Sequence, residues 1–137
     1  MKKVLVTGAT GSIGEEIVKE YAKNGFFVYI AYNSNHQKAQ NLLEEIDNKG
    51  ELISFDIKDK NSIKNSLENL DVDVLINNAG IGPDLNTIKP ERDTFQETFD
   101  VNVTGTVFFT EGLIDLIKKL FFSMPIRKQK LREDKEN

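Results

Sequence analysis

Cysteine is absent from all 137 residues, which excludes disulfides, thiolate nucleophiles and cysteine-based metal sites. Histidine is almost as scarce, with His36 alone. No long hydrophobic run exists either. The apolar stretch behind Lys2 and Lys3 breaks at Thr7-Gly8, far short of a signal-peptide core or a membrane span, so a cytoplasmic protein is expected. Nor is there an excess of positive charge. A formal net charge of -4 and a pI near 5.1 argue against general attraction to nucleic acid or an anionic membrane. The last stretch departs from this balance: from Ile126 to Asn137 there are five basic residues against three acidic ones. A solvated, frayed terminus is the expectation there. Repeats and low-complexity segments are missing too.

What is present suits one globular domain, with 39% hydrophobic and 29% charged residues. Strand-like and helix-like patterns alternate along the chain. "KKVLVT" reads as a buried strand, and Ile13, Ile17, Val18, Tyr21 and Ala22 then recur at helical spacing until Asn24-Gly25. "FFVYIAY" follows as a strand apolar on both faces, as a central parallel strand is. Gln37 to Asn48 reads as a second helix, "ELISFDI" as a third strand and Asp59 as the N-cap of a third helix. "VDVLINNAG" is a fourth strand running into a glycine turn, and Pro90-Glu91 suits the first turn of a further helix. One long helix is expected from about Asp100 to Phe122, ended by Pro125, with no strand legible beyond it. The alternation predicts an α/β fold, a doubly wound parallel sheet of about four strands plus the long helix.

Between the first strand and the first helix stands "TGATGSIG", Thr7 to Gly14. A strand-to-helix turn leaves the first helical N–H groups unpaired, and glycines let an anion approach the main chain. Such a turn either cradles a phosphate or is a tight turn with nothing bound. "NNAG", Asn77 to Gly80, follows a strand expected beside the first, which places both turns at the carboxyl ends of the sheet, where a dinucleotide crevice forms.

In that context the sequence resembles the short-chain dehydrogenases and reductases, especially members similar to 3-oxoacyl-acyl-carrier-protein reductases. The resemblance covers about Lys3 to Leu120 and rests on "TGATGSIG", "NNAG" and "NVTG" (Asn102 to Gly105), in that order. It implies a Rossmann-like fold binding NAD(H) or NADP(H), incomplete here, over residues 1–122, with 123–137 as a charged, disordered tail. One departure is that Gly11 and Ser12 make the first motif TGxxGxxG, where this branch has TGxxxGxG.

The resemblance assigns Gly8, Gly11, Ser12, Ile13 and Gly14 to the pyrophosphate and the nicotinamide side, with Thr7 bracing the turn. It gives Asp56 the adenine amino group, the alternative being a cap on the following turn. Asn78, Ala79 and Gly80 hold the adenosine ribose, and Asn102 is the active-site asparagine that helps hold a water in the proton relay. Cofactor choice falls to Tyr32, Asn33 and Ser34. No Asp or Glu stands between Ala31 and Lys38, so NADP(H) is favoured over NAD(H). His36 is either a phosphate contact or a solvated loop residue.

The family's proton donor is a tyrosine with a lysine four residues later, assisted by a serine. Tyr21, Tyr29 and Tyr32 are followed at that distance by Gly25, Asn33 and His36, and Ser123 follows no legible strand. The expectation is the cofactor-binding part of a short-chain oxidoreductase, without catalysis as this chain alone. A non-catalytic binding, sensing or interaction module and a non-functional gene fragment stand as alternatives. "VDVLI" is expected at a bare sheet edge, and Phe108, Phe109, Leu113, Leu116 and Leu120 on a bare helix face, so poor stability alone, or a complementing chain or homo-oligomer, is anticipated.

Overall fold

The structure, a computed structural model, describes residues 1–68, 70–80, 96–97, 100–113, 119–123 and 128–132, with 108, 111–113 and the last two segments described in their backbone alone. The chain runs β1 (Lys3–Val6), α1 (Ser12–Lys23), β2 (Phe27–Tyr32), α2 (His36–Glu45), β3 (Gly50–Ser54), α3 (Lys60–Leu67) and β4 (Val74–Asn77). A π-helical turn (Asp100–Gly105) then leads into α4 (Thr106–Leu113), followed by β5 (Lys119–Ser123) and β6 (Lys128–Arg132). The helix expected at Pro90-Glu91 lies outside the described residues.

The strands form one sheet in the order β3-β2-β1-β4-β5-β6, parallel throughout except for β6, which runs antiparallel to β5. Val4 registers against Val28 on one side and Val74 on the other, so β1 is central. Successive residues of a strand face opposite sides, and the core divides accordingly. Val4 and Val6 pack with Ile17, Val18 and Leu42 under α1 and α2, whereas Leu5 and Leu75 pack with Ile63, Leu67 and Phe109 under α3 and α4. Helices on both faces make this the doubly wound, Rossmann-like parallel fold that the pattern implies.

Local chemistry explains the ends. Asp59 caps α3, its carboxylate accepting from the Asn61 and Ser62 amides at 3.0 and 3.2 Å. α1 closes on Asn24 and on Gly25 at φ +86°, a conformation that a Cβ disfavours. α2 stops at Glu45, short of the Asn48 that periodicity suggests, because Asp47 and Asn48 both turn to φ +57°.

The segment after Asp100 departs from the expected single long helix. It divides into the π-helical turn, α4 and a strand, so Leu120 lies in β5 and not on a helix face. Leu113, Leu116 and Leu120 are spaced as on a helix, but "KLFFS" is a short apolar run of a kind that periodicity cannot assign to helix or strand. Val74 to Asn77 therefore register with Lys119 to Phe122, and β4 is not a bare edge. Phe109 is fully buried, its ring stacked on Phe55 at 5.1 Å between centroids, so it is not on a bare face either. Leu116 lies outside the described residues, as does Pro125. Within the stretch expected to be a disordered tail, Lys128–Arg132 forms β6. Backbone hydrogen bonds to β5 need no apolar side chain, and lysine is common on edge strands.

Gly105 closes the π-helical turn where space is tight. A Cβ there would lie 2.8 Å from the Ile57 carbonyl oxygen and 2.9 Å from that of Asp100, both backbone atoms. Gly105→Ala is expected to lower unfolding free energy by roughly 1–3 kcal/mol. A urea melt reads this directly, and an unchanged midpoint would refute it.

Candidate functional site

The carboxyl ends of β1, β2, β3 and β4 open into a cleft of about 470 Å³. All thirteen positions assigned to cofactor binding line it: Thr7, Gly8, Gly11, Ser12, Ile13 and Gly14 from the first turn and the head of α1, Tyr32 at the end of β2 with Asn33 and Ser34 after it, Asp56 after β3, and Asn78, Ala79 and Gly80 after β4. Such a cleft lies within the size range of small-molecule and cofactor sites.

The first turn is built by glycine contacts. Gly8 takes φ +61°, and its Cα lies so close to the fourth strand's turn that a Cβ would be 2.8 Å from the Ala79 Cα. Gly14 is buried in α1, and an added Cβ would land on the Gly8 carbonyl oxygen and the Ala9 backbone. Gly11 precedes α1 with extended backbone and no side-chain cap. The first bond of the helix runs from the Glu15 amide to the Gly11 carbonyl at 2.9 Å. The amides of Ser12, Ile13 and Gly14 are thus the unpaired donors of a helix start, on residues that line the cleft.

Thr7 joins the two glycine turns. Its buried hydroxyl accepts from the Asn78 and Ala79 amides at 3.0 and 2.9 Å, and the Thr7 amide donates to the Ile76 carbonyl at 3.1 Å. Asn78 answers from the other side, donating from Nδ2 to the Gly8 carbonyl at 3.2 Å. Asn102 stands at the edge of this arrangement. It is not part of the cleft lining, but its Oδ1 lies 3.0 Å from where a Cβ of Gly80 would be.

Beyond β2, the Tyr32 hydroxyl and His36 Nδ1 share a short hydrogen bond. Asn35 caps α2 by accepting from the Lys38 amide at 3.2 Å, and Ser54 Oγ donates to the Asn33 carbonyl at 3.1 Å. Lys38 pairs with Glu15 at 3.3 Å, which ties the nearest cation of this loop to α1. At Asp56 the turn role is visible: Oδ1 accepts from the Lys58 amide at 2.9 Å, in a side chain that also lines the cleft.

Sequence reasoning missed several lining residues. Phe55 and Ile57 flank Asp56 and had a signal in their adjacency to it, and Val101 had one beside Asn102. Lys58 and Glu97 had none. They meet as an ion pair at 3.4 Å across 39 positions of sequence, a contact made only by the fold. Ser123, unassigned on sequence grounds, is the last residue of β5. Of the tyrosines only Tyr32 lines the cleft; Tyr29 is in the core, and burial pushes the Tyr21 phenol above its usual pKa. Among the described residues there is no acidic or histidine cluster able to hold a metal, and no helix long and apolar enough to cross a membrane.

A parallel doubly wound sheet with a glycine-built cleft at its carboxyl ends defines a Rossmann-like, cofactor-binding class of protein. Residues 2–120 match the short chain dehydrogenase family, and the chain belongs to that family. An NADP-dependent 3-hydroxy acid dehydrogenase of Salmonella typhi is 31% identical over 117 residues, covering 81% of this chain and 47% of that protein. A 3-oxoacyl-[acyl-carrier-protein] reductase of Haemophilus influenzae is 29% identical over 126 residues, covering 88% and 52%. Among solved structures, the 3-ketoacyl-(acyl-carrier-protein) reductase of Brucella melitensis complexed with NADH superposes with a TM-score of 0.74 at 31% identity, over 84% of this chain and 49% of that one. The chain spans about half the length of the curated relatives it matches.

Proposed function

We propose that the cleft holds a nicotinamide dinucleotide, NADP(H) in preference to NAD(H), and that this chain is the cofactor-binding part of a short-chain oxidoreductase interconverting carbonyls and alcohols. The observation that carries the reading is the start of α1, where unpaired amides of Ser12, Ile13 and Gly14 belong to residues lining a cleft. The residues present fit a diphosphate. Over Gly11 a Cβ would meet only the Gly8 carbonyl oxygen, at 3.4 Å, so open space lies where an anion would approach the main chain. When bound, a nicotinamide ring supplies or accepts the hydride.

The chain's own residues divide the work of holding it. Gly8, Gly11, Ser12, Ile13 and Gly14 take the diphosphate, and Thr7 fixes their turn against Asn78, Ala79 and Gly80, which take the adenosine ribose. Asp56 has one carboxylate oxygen in its own turn, which leaves the other for the adenine amino group. Asn102, beside Gly80, holds water near the nicotinamide end. No Tyr-x-x-x-Lys occurs in the sequence, and Tyr32, the tyrosine in the cleft, is engaged with His36. The chain alone is therefore expected to bind cofactor without turning over a substrate.

Support for NADP(H) comes from the loop after β2. It offers Asn33 and Ser34, which line the cleft, to a 2′-phosphate and no carboxylate to a 2′-hydroxyl, while His36 opens α2 and bonds Tyr32. Titrating the protein with NADPH and NADH under nicotinamide fluorescence tests both parts: saturable binding, tighter for NADPH, is expected. Absence of binding by either would overturn the function, and tighter NADH binding would overturn the preference. Asn33→Asp should reverse the order, weakening NADPH by about tenfold, near 1.4 kcal/mol, by charge repulsion.

A further inference from the structure

We propose that Asn77, Thr110 and Thr106 form a buried positioning chain that holds the π-helical turn in register and so seats Asn102 against Gly80. Asn77, the last residue of β4, is 3% exposed and donates from Nδ2 to Thr110 Oγ1 at 2.8 Å. The Thr110 hydroxyl donates in turn to the Thr106 carbonyl at 2.7 Å, and the Thr106 hydroxyl donates to the Val101 carbonyl at 3.2 Å. All three side chains are buried. The chain runs from the end of β4, next to the cleft-lining Asn78, through α4, to the residue beside Asn102.

Two features separate this from ordinary packing. The Thr106 bond reaches back five residues, the spacing of a π-helical turn, so a side chain supplies a donor in the register that the turn adopts. Asn77 Oδ1, meanwhile, is buried without a partner among the described residues. An unmet carbonyl opposes folding, so the asparagine serves through its Nδ2 bond to Thr110 and adds little to overall stability. Asn77 also adjoins Asn78, whose Nδ2 holds the Gly8 carbonyl, so one strand end fixes both the first glycine turn and the segment that carries Asn102.

The consequence for nucleotide binding rests on the function proposed above; the consequence for the turn does not. Thr110→Val removes the hydroxyl at constant shape, Thr110→Ser keeps it, and Asn77→Leu removes both the donor and the orphan carbonyl. In ¹⁵N-labelled protein, Thr110→Val and Asn77→Leu should speed amide exchange at Val101 to Gly105 by about tenfold and shift the Asn102 side-chain amide resonance, with protection in β1 and α1 unchanged. Thr110→Ser should match wild type. NADPH affinity should fall about tenfold in Thr110→Val, while 2′,5′-ADP, which lacks the nicotinamide end, binds as before. Equal exchange in Val, Ser and wild-type proteins would overturn the inference, as would a loss of protection spread evenly over the sheet. If wild type binds neither nucleotide, the cofactor reading fails while the exchange data still decide the positioning role.

Discussion

Gly14→Ala should abolish nucleotide binding and lower unfolding free energy by about 2–3 kcal/mol, a large share of the margin of a small domain. The added methyl has no flexible neighbour to displace. The three nearest atoms are all backbone: the Gly8 carbonyl oxygen, the Ala9 Cα at 2.8 Å and the Ala9 carbonyl carbon at 3.0 Å. Relief requires α1 to move away from the turn, and that motion carries off the amides of Ser12, Ile13 and Gly14. Gly25→Ala is the control. Gly25 has φ +86° but nothing within 4 Å of a Cβ, so the substitution should cost about 1 kcal/mol from backbone strain and leave nucleotide affinity intact. Chemical denaturation and fluorescence titration of both variants separate the outcomes. Wild-type affinity in Gly14→Ala would show that the helix start is not the anion site.

Thr7→Val is expected to cost roughly 1–3 kcal/mol and to weaken nucleotide binding more than stability alone explains. Valine has threonine's shape, so packing around a side chain 1% exposed is preserved and only the hydroxyl is lost. The Asn78 amide keeps a second acceptor, the Ile76 carbonyl at 3.1 Å, but the Ala79 amide loses the one partner it has among the described residues. The two glycine turns then lose their shared pin, and the cleft they border loosens. Thr7→Ser should retain most of the wild-type behaviour in the same urea melts and titrations. If Thr7→Val melts and binds as wild type does, the hydroxyl is not what joins the turns.

Legibility followed the range of the interactions. The Asp59 cap and the Asn24-Gly25 stop depend on contacts within a few residues, and the strands through β4 and the strand-to-helix glycine motif are legible from residue type and spacing, although the strand pairing itself joins distant positions such as Val4 and Val74. The residues that the family motifs assign to cofactor binding line one cleft together. The region after Asp100 was not legible. Leu113, Leu116 and Leu120 satisfy a helical period, yet Leu120 sits in a strand because β4 offers an unpaired edge that only the assembled sheet creates. The π-helical turn escaped for a similar reason: Gly105 is needed there by the carbonyl of Ile57, a residue in the connection between β3 and α3.

The sequence by itself determined the alternation of strands and helices, the glycine-built turn at the head of α1, the lack of carboxylates after β2 and the lack of a Tyr-x-x-x-Lys pair. These are properties of residue type and short spacing, and folding cannot alter them. Tertiary structure alone decided that β5 and β6 cover the β4 edge, that Lys58 meets Glu97, that Thr7 pins one glycine turn to the other, and that Asn77 reaches the π-helical turn through two threonines. Each of these contacts joins positions far apart along the chain, so its energy exists only once the sheet has brought the partners together.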